Sequence, residues 1–280
     1  MGRLGVLGWP VAHSRSPAMH NAAFAALGMS GWRYQRLPVP PHLFAETVRS
    51  LGASGLLGAN VTIPHKQAAL ALATEASAAA REIGAANTLT FGPDGAVAAE
   101  NTDAPGLIAA LAEPVRGMRV QVLGAGGSAR AAVWGLREAG AAEVLVWNRT
   151  YERAVALASD LDARAVRSPQ ASDLLVNCTS VGLEHRNRAG SLERSATEDG
   201  GLNLLGLTFD QLREYSNVAD LVYRSQPTAL LAAAGELGAR TVDGLEILVA
   251  QGALSFELWT GRTAPREVMA DAARAAQPID

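Results

Sequence analysis

The segment 119–150 constrains this chain more than any other. Arg119-Val120-Gln121-Val122-Leu123 is a short β-prone run, followed at once by Gly124-Ala125-Gly126-Gly127-Ser128-Ala129. An alanine-rich helical pattern then runs to about Ala139, and Gly140 stops it. A second β-prone run, Glu143-Val144-Leu145-Val146-Trp147, ends at Asn148-Arg149-Thr150. Strand, glycine turn, helix and strand form the context that a dinucleotide-binding turn requires. Glycines let the backbone approach a pyrophosphate, and the helix start offers N–H groups and a positive dipole end. The expected phosphate cradle is therefore Gly124, Ala125, Gly126, Gly127 and Ser128. S-adenosylmethionine enzymes use similar loops; the two flanking strands favour a dinucleotide.

The end of the second strand identifies the nucleotide. NAD-binding chains usually place an Asp or Glu there to hold the ribose 2′-hydroxyl. This chain has Asn148-Arg149-Thr150, with Arg153 one helical turn further on. A guanidinium pairs with a 2′-phosphate that a carboxylate would repel. NADP is the expected cofactor, although a solvated Arg149 beside a helix-capping Thr150 is the bland alternative.

The remainder fits a two-domain α/β protein. At 280 residues and 49% hydrophobic content the chain has ample core material. Residues 4–7 read as a strand, and Ser16-Pro17 opens a helix with a cap residue followed by proline. A strand from 58 leads through Ile63-Pro64-His65-Lys66 into another helix, and 87–90 with 97–100 read as a hairpin around Pro93-Asp94-Gly95. Strands are expected at 173–177 and 220–223, a helix at 228–237, and a surface excursion without chemistry at 184–200. The cleft between the two domains is the natural site. No apolar run approaches the roughly 18 residues of a membrane span, and the N-terminus does not read as a signal peptide. A single cysteine, Cys178, points to a reducing cytoplasm. The net charge of −3 shows no basic excess for nucleic acid or acidic lipid. A soluble monomer or homodimer acting on a small molecule, with no metal, is expected.

One compositional oddity points at the chemistry. Among 24 lysine-plus-arginine positions, Lys66 is the sole lysine. Arginine keeps its proton in a protein, whereas a lysine can act as acid or base. Around Lys66, the N-terminal half places polar residues at strand ends and helix starts: Ser14, Ser16, Thr62, Asn87, Thr88, Asn101 and Asp103. In an open α/β sheet ligands bind beyond the carboxyl ends of strands, and this rim suits a small polyhydroxylated acid. Each residue has a bland alternative. Ser16 and Thr102 could be helix caps, Asn87 a turn residue, and Asp103 a favourable charge at a helix start.

These residues resemble a known family. Gly8-Trp9-Pro10-Val11-Ala12-His13-Ser14-Arg15-Ser16-Pro17, with His20-Asn21, is similar to the opening motif of the shikimate dehydrogenase family. Asn60-Val61-Thr62-Ile63-Pro64-His65-Lys66 resembles its lysine motif, and Gly84-Ala85-Ala86-Asn87-Thr88-Leu89 and Asn101-Thr102-Asp103 its next two blocks. Asn148-Arg149-Thr150 resembles the NADP-selecting segment and Asn177-Cys178-Thr179-Ser180 the nicotinamide-side loop. Asp243-Gly244-Leu245 and Gln251-Gly252-Ala253, with Ser255-Phe256 and Trp259-Thr260-Gly261, follow the C-terminal helix pattern. The resemblance implies a substrate domain from residues 1–103 completed by 245–280, and a Rossmann domain at 104–244. It implies reversible, NADPH-dependent reduction of 3-dehydroshikimate to shikimate, one step toward the aromatic amino acids. Lys66 and Asp103 would flank the reacting hydroxyl, Ser14 and Ser16 would hold the carboxylate, and Thr62, Asn87, Tyr223 and Gln251 would contact the ring. Thr179, Leu221 and Gly244 complete the implied cofactor set.

Two departures stand out. Glu100 precedes Asn-Thr-Asp where the family commonly has an aromatic or glycine, and the stretch Tyr223-Arg224-Ser225-Gln226-Pro227 replaces the usual Tyr-x-Pro. A quinate or dual-specificity dehydrogenase is the same-fold alternative. Quinate-preferring relatives tend to carry Thr at the second hydroxyl of the opening motif, where this chain has Ser16. A non-catalytic sensor would be expected to lose Lys66 or Asp103, and a methyltransferase has no evident use for them.

Overall fold

The computed structural model describes residues 2–111, 113–183, 185–186, 192–193 and 201–276. In chain order the first half contains β1 (Gly2–Gly8), α1 (Ser16–Ala26), β2 (Trp32–Pro38), α2 (Phe44–Leu51), β3 (Gly58–Val61) and α3 (Lys66–Leu72). Then come β4 (Glu75–Ala76), α4 (Ala78–Ile83), β5 (Thr88–Phe91), β6 (Val97–Glu100) and α5 (Asp103–Leu111). The middle contributes β7 (Arg119–Leu123), α6 (Gly127–Glu138), β8 (Glu143–Trp147), α7 (Tyr151–Asp160), β9 (Arg164–Ala165) and β10 (Leu174–Asn177). The short β11 (His185–Arg186) and β12 (Leu192–Glu193) pair antiparallel; the rest of the stretch 184–200 lies outside the described residues. The chain ends with β13 (Asn217–Asp220), α8 (Ala229–Glu236), β14 (Arg240–Val242), α9 (Gly244–Thr260) and α10 (Arg266–Ala275). Two compact units result, one of residues 1–106 with 248–280 and the other of 107–247.

The first unit has a mixed sheet in the order β2-β1-β3-β5-β6-β4. Strands β1, β2 and β3 run parallel, β5 is antiparallel to β3 and β6, and the β5–β6 hairpin turns at Pro93–Gly95. This arrangement gathers the carboxyl ends of β1, β3 and β6 and the amino end of β5 at one edge. Register confirms it, because Leu7 pairs with Val61, Asn60 with Thr88, and Thr88 with Glu100. The residues that follow those strand ends carry the polar rim.

The second unit is an all-parallel sheet in the order β14-β13-β10-β7-β8-β9, the Rossmann type. Its central strands are buried on both faces. Val120, Val122, Leu174 and Val176 belong to the core shared with α6, whereas Leu123, Leu175 and Val218 face the core beside α8. Alternation along each strand supplies both layers, which is why β7 and β10 read as continuous apolar runs. Gln121 is a fully buried exception. Its amide donates to the carbonyls of Val122 and Leu145 and accepts from the amide of Gln170.

Three local expectations need correction. β13 spans Asn217–Asp220, where a strand at 220–223 was expected, and the Asp220 carboxylate accepts the Val222 N–H at 3.0 Å and turns the chain off the sheet. Ser16 does not cap α1: it is the first helical residue, and Ser14 Oγ accepts its amide at 3.3 Å. Nor does Thr102 cap α5. Asn101 Oδ1 takes the amides of Asp103 and Ala104 at 3.1 and 3.2 Å, leaving the Thr102 hydroxyl to the site.

His20 of α1 is buried completely, with its ring 4.3 Å from that of Tyr34 and nearly parallel to it. Phe256 and Trp259 of α9 stand at 6.3 and 5.9 Å. Neither ring nitrogen has a hydrogen-bond partner among the described residues, and burial pushes the imidazole down to about 3. Folding therefore favours the neutral ring. The associated stability is complete above the unfolded value of 6.5 and is lost as pH falls toward 3, at up to about 1.4 kcal/mol per pH unit. His20→Phe should remove this component while adding a pH-independent packing cost of about 1–3 kcal/mol. Denaturant melts between pH 7 and pH 4 check it: an equally steep acid loss in both proteins would show that His20 is not its source.

Candidate functional site

At the gathered edge of the first unit, Lys66 is the first residue of α3 and Asp103 the first of α5. Lys66 Nζ lies 2.5 Å from Asp103 Oδ2, and the two side chains are only 11% and 15% exposed. This is no surface ion pair of the kind worth about 0–1 kcal/mol. The other carboxylate oxygen, Oδ1, accepts from Asn87 Nδ2 at 2.9 Å. Both oxygens are thus fixed, and the ammonium is aimed by an acid that cannot swing.

Asn87 is the hub. Its Nδ2 also donates to Thr102 Oγ1 at 2.9 Å and to Gln251 Oε1 at 3.2 Å. Its Oδ1 accepts the Thr102 amide at 2.7 Å and the Thr88 hydroxyl at 3.2 Å. Ser255 Oγ, from α9, stands 2.9 Å from Thr88 Oγ1 and 3.1 Å from Thr102 Oγ1, and Asn60 Nδ2 donates to it at 2.9 Å. Tyr34 closes the far end by donating to Asn60 Oδ1 at 2.7 Å. Gln251 reaches this cluster because α5 and α9 touch at Gly106, where an added Cβ would lie 2.6 Å from the Cβ of Gln251. Tyr34 was not singled out from the sequence, and Asn60 and Ser255 entered only as members of family motifs, without a role. They sit inside apolar helix and strand patterns, where nothing local announces a polar cluster.

The remaining expected substrate residues of this unit follow β1 and β3. Thr62 leaves β3 with its amide on the Leu7 carbonyl at 2.8 Å, and its methyl packs where a Cβ on Gly8 would stand. Ser14 lies in the turn before α1 and Ser16 opens the helix, both buried. Tyr223 belongs to the second unit, in the loop after β13. Glu100, the extra acid, faces away from the pair: its Oε1 accepts from Ser77 Oγ at 2.5 Å and from the Asn101 amide at 2.8 Å.

In the second unit the glycine turn leads from β7 into α6. Gly124 has φ +110°, a left-handed conformation, and an added Cβ would press on the Cys178 backbone at 3.2 Å. Beside Gly126 there is open space, and α6 starts without a side-chain cap. A twelve-residue helix whose N-cap glycine offers no side-chain cap, beside an unobstructed turn, fits a pyrophosphate. Ala125 and Ser128 lie in the same turn. Asn148, Arg149, Thr150 and Arg153 follow β8; Asn148 Nδ2 donates to the Thr150 carbonyl at 2.8 Å, and Arg149, Thr150 and Arg153 are exposed. Thr150 stands at the cap position of α7 but its hydroxyl makes no cap bond, which removes its bland reading.

Two loops at the carboxyl ends of β10 and β13 are tied together. Asn177 Oδ1 accepts the amide and hydroxyl of Thr179 at 3.0 and 2.8 Å, while its Nδ2 donates to Asp220 Oδ1 at 2.9 Å. Asp220 also receives the Thr228 hydroxyl at 2.6 Å. Burial pushes this carboxyl up to about 6, against three hydrogen bonds that pull it down. Gly244 abuts the same loop, since a Cβ there would lie 2.6 Å from the Leu221 carbonyl. Asp220 escaped the sequence reading because an acid at the start of the strand expected at 220–223 looks like an ordinary strand-edge residue.

Comparison with known proteins agrees with this geometry. Residues 6–89 match the family model of the shikimate dehydrogenase substrate binding domain, 107–181 that of shikimate / quinate 5-dehydrogenase, and 244–274 the shikimate 5'-dehydrogenase C-terminal domain. The shikimate dehydrogenase (NADP(+)) of Methanopyrus kandleri is 42% identical, covering 96% of this chain and 93% of the relative. That of Symbiobacterium thermophilum is 43% identical over 98% and 94%. The crystal structure of Thermus thermophilus shikimate 5-dehydrogenase with NADP(H) and shikimate superposes with a TM-score of 0.85 at 40% identity, covering 99% and 100% of the two chains. With matching models over most of its length and relatives this similar across nearly all of it, the chain belongs to the shikimate dehydrogenase family.

Proposed function

We propose that this chain catalyses the reversible, NADP-dependent reduction of 3-dehydroshikimate to shikimate. The observation that carries the reading is the Lys66–Asp103 pair with Asn87 locked to its free carboxylate oxygen. Reducing a ketone to an alcohol needs one hydride on carbon and one proton on oxygen. Bound NADPH supplies the hydride. Lys66 supplies the proton, and its positive charge stabilises the negative charge that grows on the oxygen. Asp103 orients Lys66, and in the oxidation direction the pair takes the proton from the hydroxyl. Asn87, Thr62 and Gln251 present amide and hydroxyl groups to the ring hydroxyls, and Tyr223 is assigned to the substrate from the second unit. Ser14 and Ser16 receive the carboxylate; the Ser16 hydroxyl makes no helix cap.

On the cofactor side, the proposed set is Gly124, Ala125, Gly126, Gly127 and Ser128 for the pyrophosphate and Asn148, Arg149, Thr150 and Arg153 for the 2′-phosphate. Thr179, Leu221 and Gly244 line the nicotinamide end. The substrate-holding part corresponds to residues 1–103 with 245–280, and the NADP-holding part to 104–244. A small polyhydroxylated acid is the partner this chemistry serves. No helix among the described residues is long and apolar enough to cross a membrane.

Following NADPH absorbance with shikimate, quinate and their dehydro forms tests the reading directly; turnover confined to quinate would overturn it. Asp103→Asn keeps hydrogen bonds but not charge, so kcat should fall about 10²–10⁴-fold with KM little changed. Ser16→Ala should raise KM about tenfold with kcat preserved, since its hydroxyl serves the carboxylate. Its melting temperature should match the unaltered protein, because Ser16 caps nothing. The opposite kinetic pattern would reverse the two roles. Arg149→Asp should weaken NADP binding by about 1.5–3 kcal/mol or more, through lost attraction and added repulsion. Titration of NADP and NAD against this variant checks it: unchanged NADP affinity would reduce Arg149 to a surface charge.

A further inference from the structure

Ser14 and Ser16 offer neutral hydroxyls, which would receive an uncharged carbonyl as readily as a carboxylate. The turn that carries them is held by a cation with no role in the site described so far. Arg36, near the end of β2, directs Nε and Nη2 to the Ser14 carbonyl oxygen at 3.0 and 2.6 Å. One neutral carbonyl needs one donor; here it receives two arms of a charged fork.

The placement is rigid. Arg36 pairs with Val6 in the β1–β2 ladder, two residues before the strand end at Gly8. Two residues earlier in β2, Asn21 of α1 both donates to and accepts from the Tyr34 backbone at 2.9 Å. That clamp ties β2 to the helix which the serine turn opens. Arg15, the cation within the turn, sends Nη1 to the Ala273 carbonyl at 3.1 Å. The charge aimed at the turn is Arg36.

Covalent geometry limits how far this charge can be from the serine hydroxyl. The Ser14 carbonyl oxygen and its own Oγ are four bonds apart, at most about 5 Å by standard bond lengths. A guanidinium nitrogen 2.6 Å from that oxygen therefore lies within about 7.5 Å of Oγ, adding this bond-length limit. Ser14 and Ser16 are only 4% and 5% exposed and Arg36 is half-buried, so water and salt screen the charge only in part. A carboxylate on these hydroxyls would feel the charge; an ester or a ketone of the same shape would not.

We propose that Arg36 is a specificity-determining positioning residue, fixing the Ser14–Ser16 turn and supplying the positive charge that makes the site prefer a carboxylate. The proposal rests on the assignment of the substrate carboxylate to Ser14 and Ser16. Its test compares shikimate with shikimate methyl ester, which keeps the reacting hydroxyl and loses the charge. Arg36→Gln retains hydrogen-bond donors toward Ser14 without the cation, and Arg36→Lys retains the cation without the fork. For Arg36→Gln the shikimate KM should rise about tenfold, the kcat for shikimate should hold within about threefold, and the ester KM should stay within about twofold, a selective loss of acid binding. Arg36→Lys should keep the acid-over-ester preference within about threefold of the unaltered enzyme.

An equal rise in both KM values for Arg36→Gln would mean that Arg36 only orders the turn, and would overturn the proposal. Should Arg36→Gln not fold, Arg36→Lys decides alone, since a tenfold loss of acid preference with charge retained contradicts a charge-based role, as tenfold is the size expected for removing that charge. If the unaltered chain did not turn over shikimate, the functional reading would fail instead. Turnover with an acid-to-ester ratio unmoved in Arg36→Gln sinks only this inference.

Discussion

The hydrogen-bonded amide of Asn87 is the interaction on which the substrate-side arrangement depends. A partly buried lysine and aspartate are costly to desolvate, and their attraction offsets that cost only when geometry is good and the remaining acceptor sites are filled. Asn87 fills the second carboxylate oxygen of Asp103 and is itself fixed by Thr88, Thr102 and Gln251. Since each of these groups is buried, losing one partner leaves another unsatisfied, at about 1–3 kcal/mol for a neutral group and more for a charged one. The cluster therefore behaves as a unit. It holds Lys66 in a single direction, as an acid catalyst requires.

Sheet topology makes that cluster possible. Reversing β5 against β3 and β6 brings an amino end beside carboxyl ends, so Asn87 meets the residues following β3 and β6. An all-parallel sheet would have sent the start of β5 to the opposite edge. In the second unit the sheet is wholly parallel, and the same logic runs through loops at one edge. The glycine turn after β7, the Arg149 segment after β8, and the tied loops after β10 and β13 all leave from carboxyl ends. Asp220 and Asn177 keep two of those loops in register, as Asn87 does on the substrate side. Each unit thus anchors its loops with one buried amide bound to one buried or half-buried carboxylate.

Much of the fold was legible because its signals are local. β7, β8 and β6 begin and end where the apolar runs do, and α6 stops at Glu138, with Gly140 at φ +88° closing it. Boundaries were misread where a side chain outcompeted the pattern. Asp220 ends β13 where a strand was expected to begin, by taking a backbone N–H, Ser14 does for the Ser16 amide what a cap would do, and Asn101 displaces Thr102 as the cap of α5. Hydroxyl and amide side chains compete with the backbone on equal terms, and sequence spacing does not reveal which will win.

The sequence by itself determined the α/β class, the dinucleotide turn, the absence of an acid at the end of β8, and a single lysine among arginines. All four are statements about residue type and near-neighbour spacing, where periodicity and backbone preference act. Only the tertiary structure decided that Lys66 and Asp103, 37 residues apart, meet at 2.5 Å. It alone revealed that Gln251 of α9 reaches back to Asn87 and Ser255 to Thr88 and Thr102, and that Arg36 spends two donors on Ser14. Those contacts depend on strand register and on the close approach of α5 to α9 at Gly106. Both are set by packing of the whole chain, and no local stretch of sequence contains them.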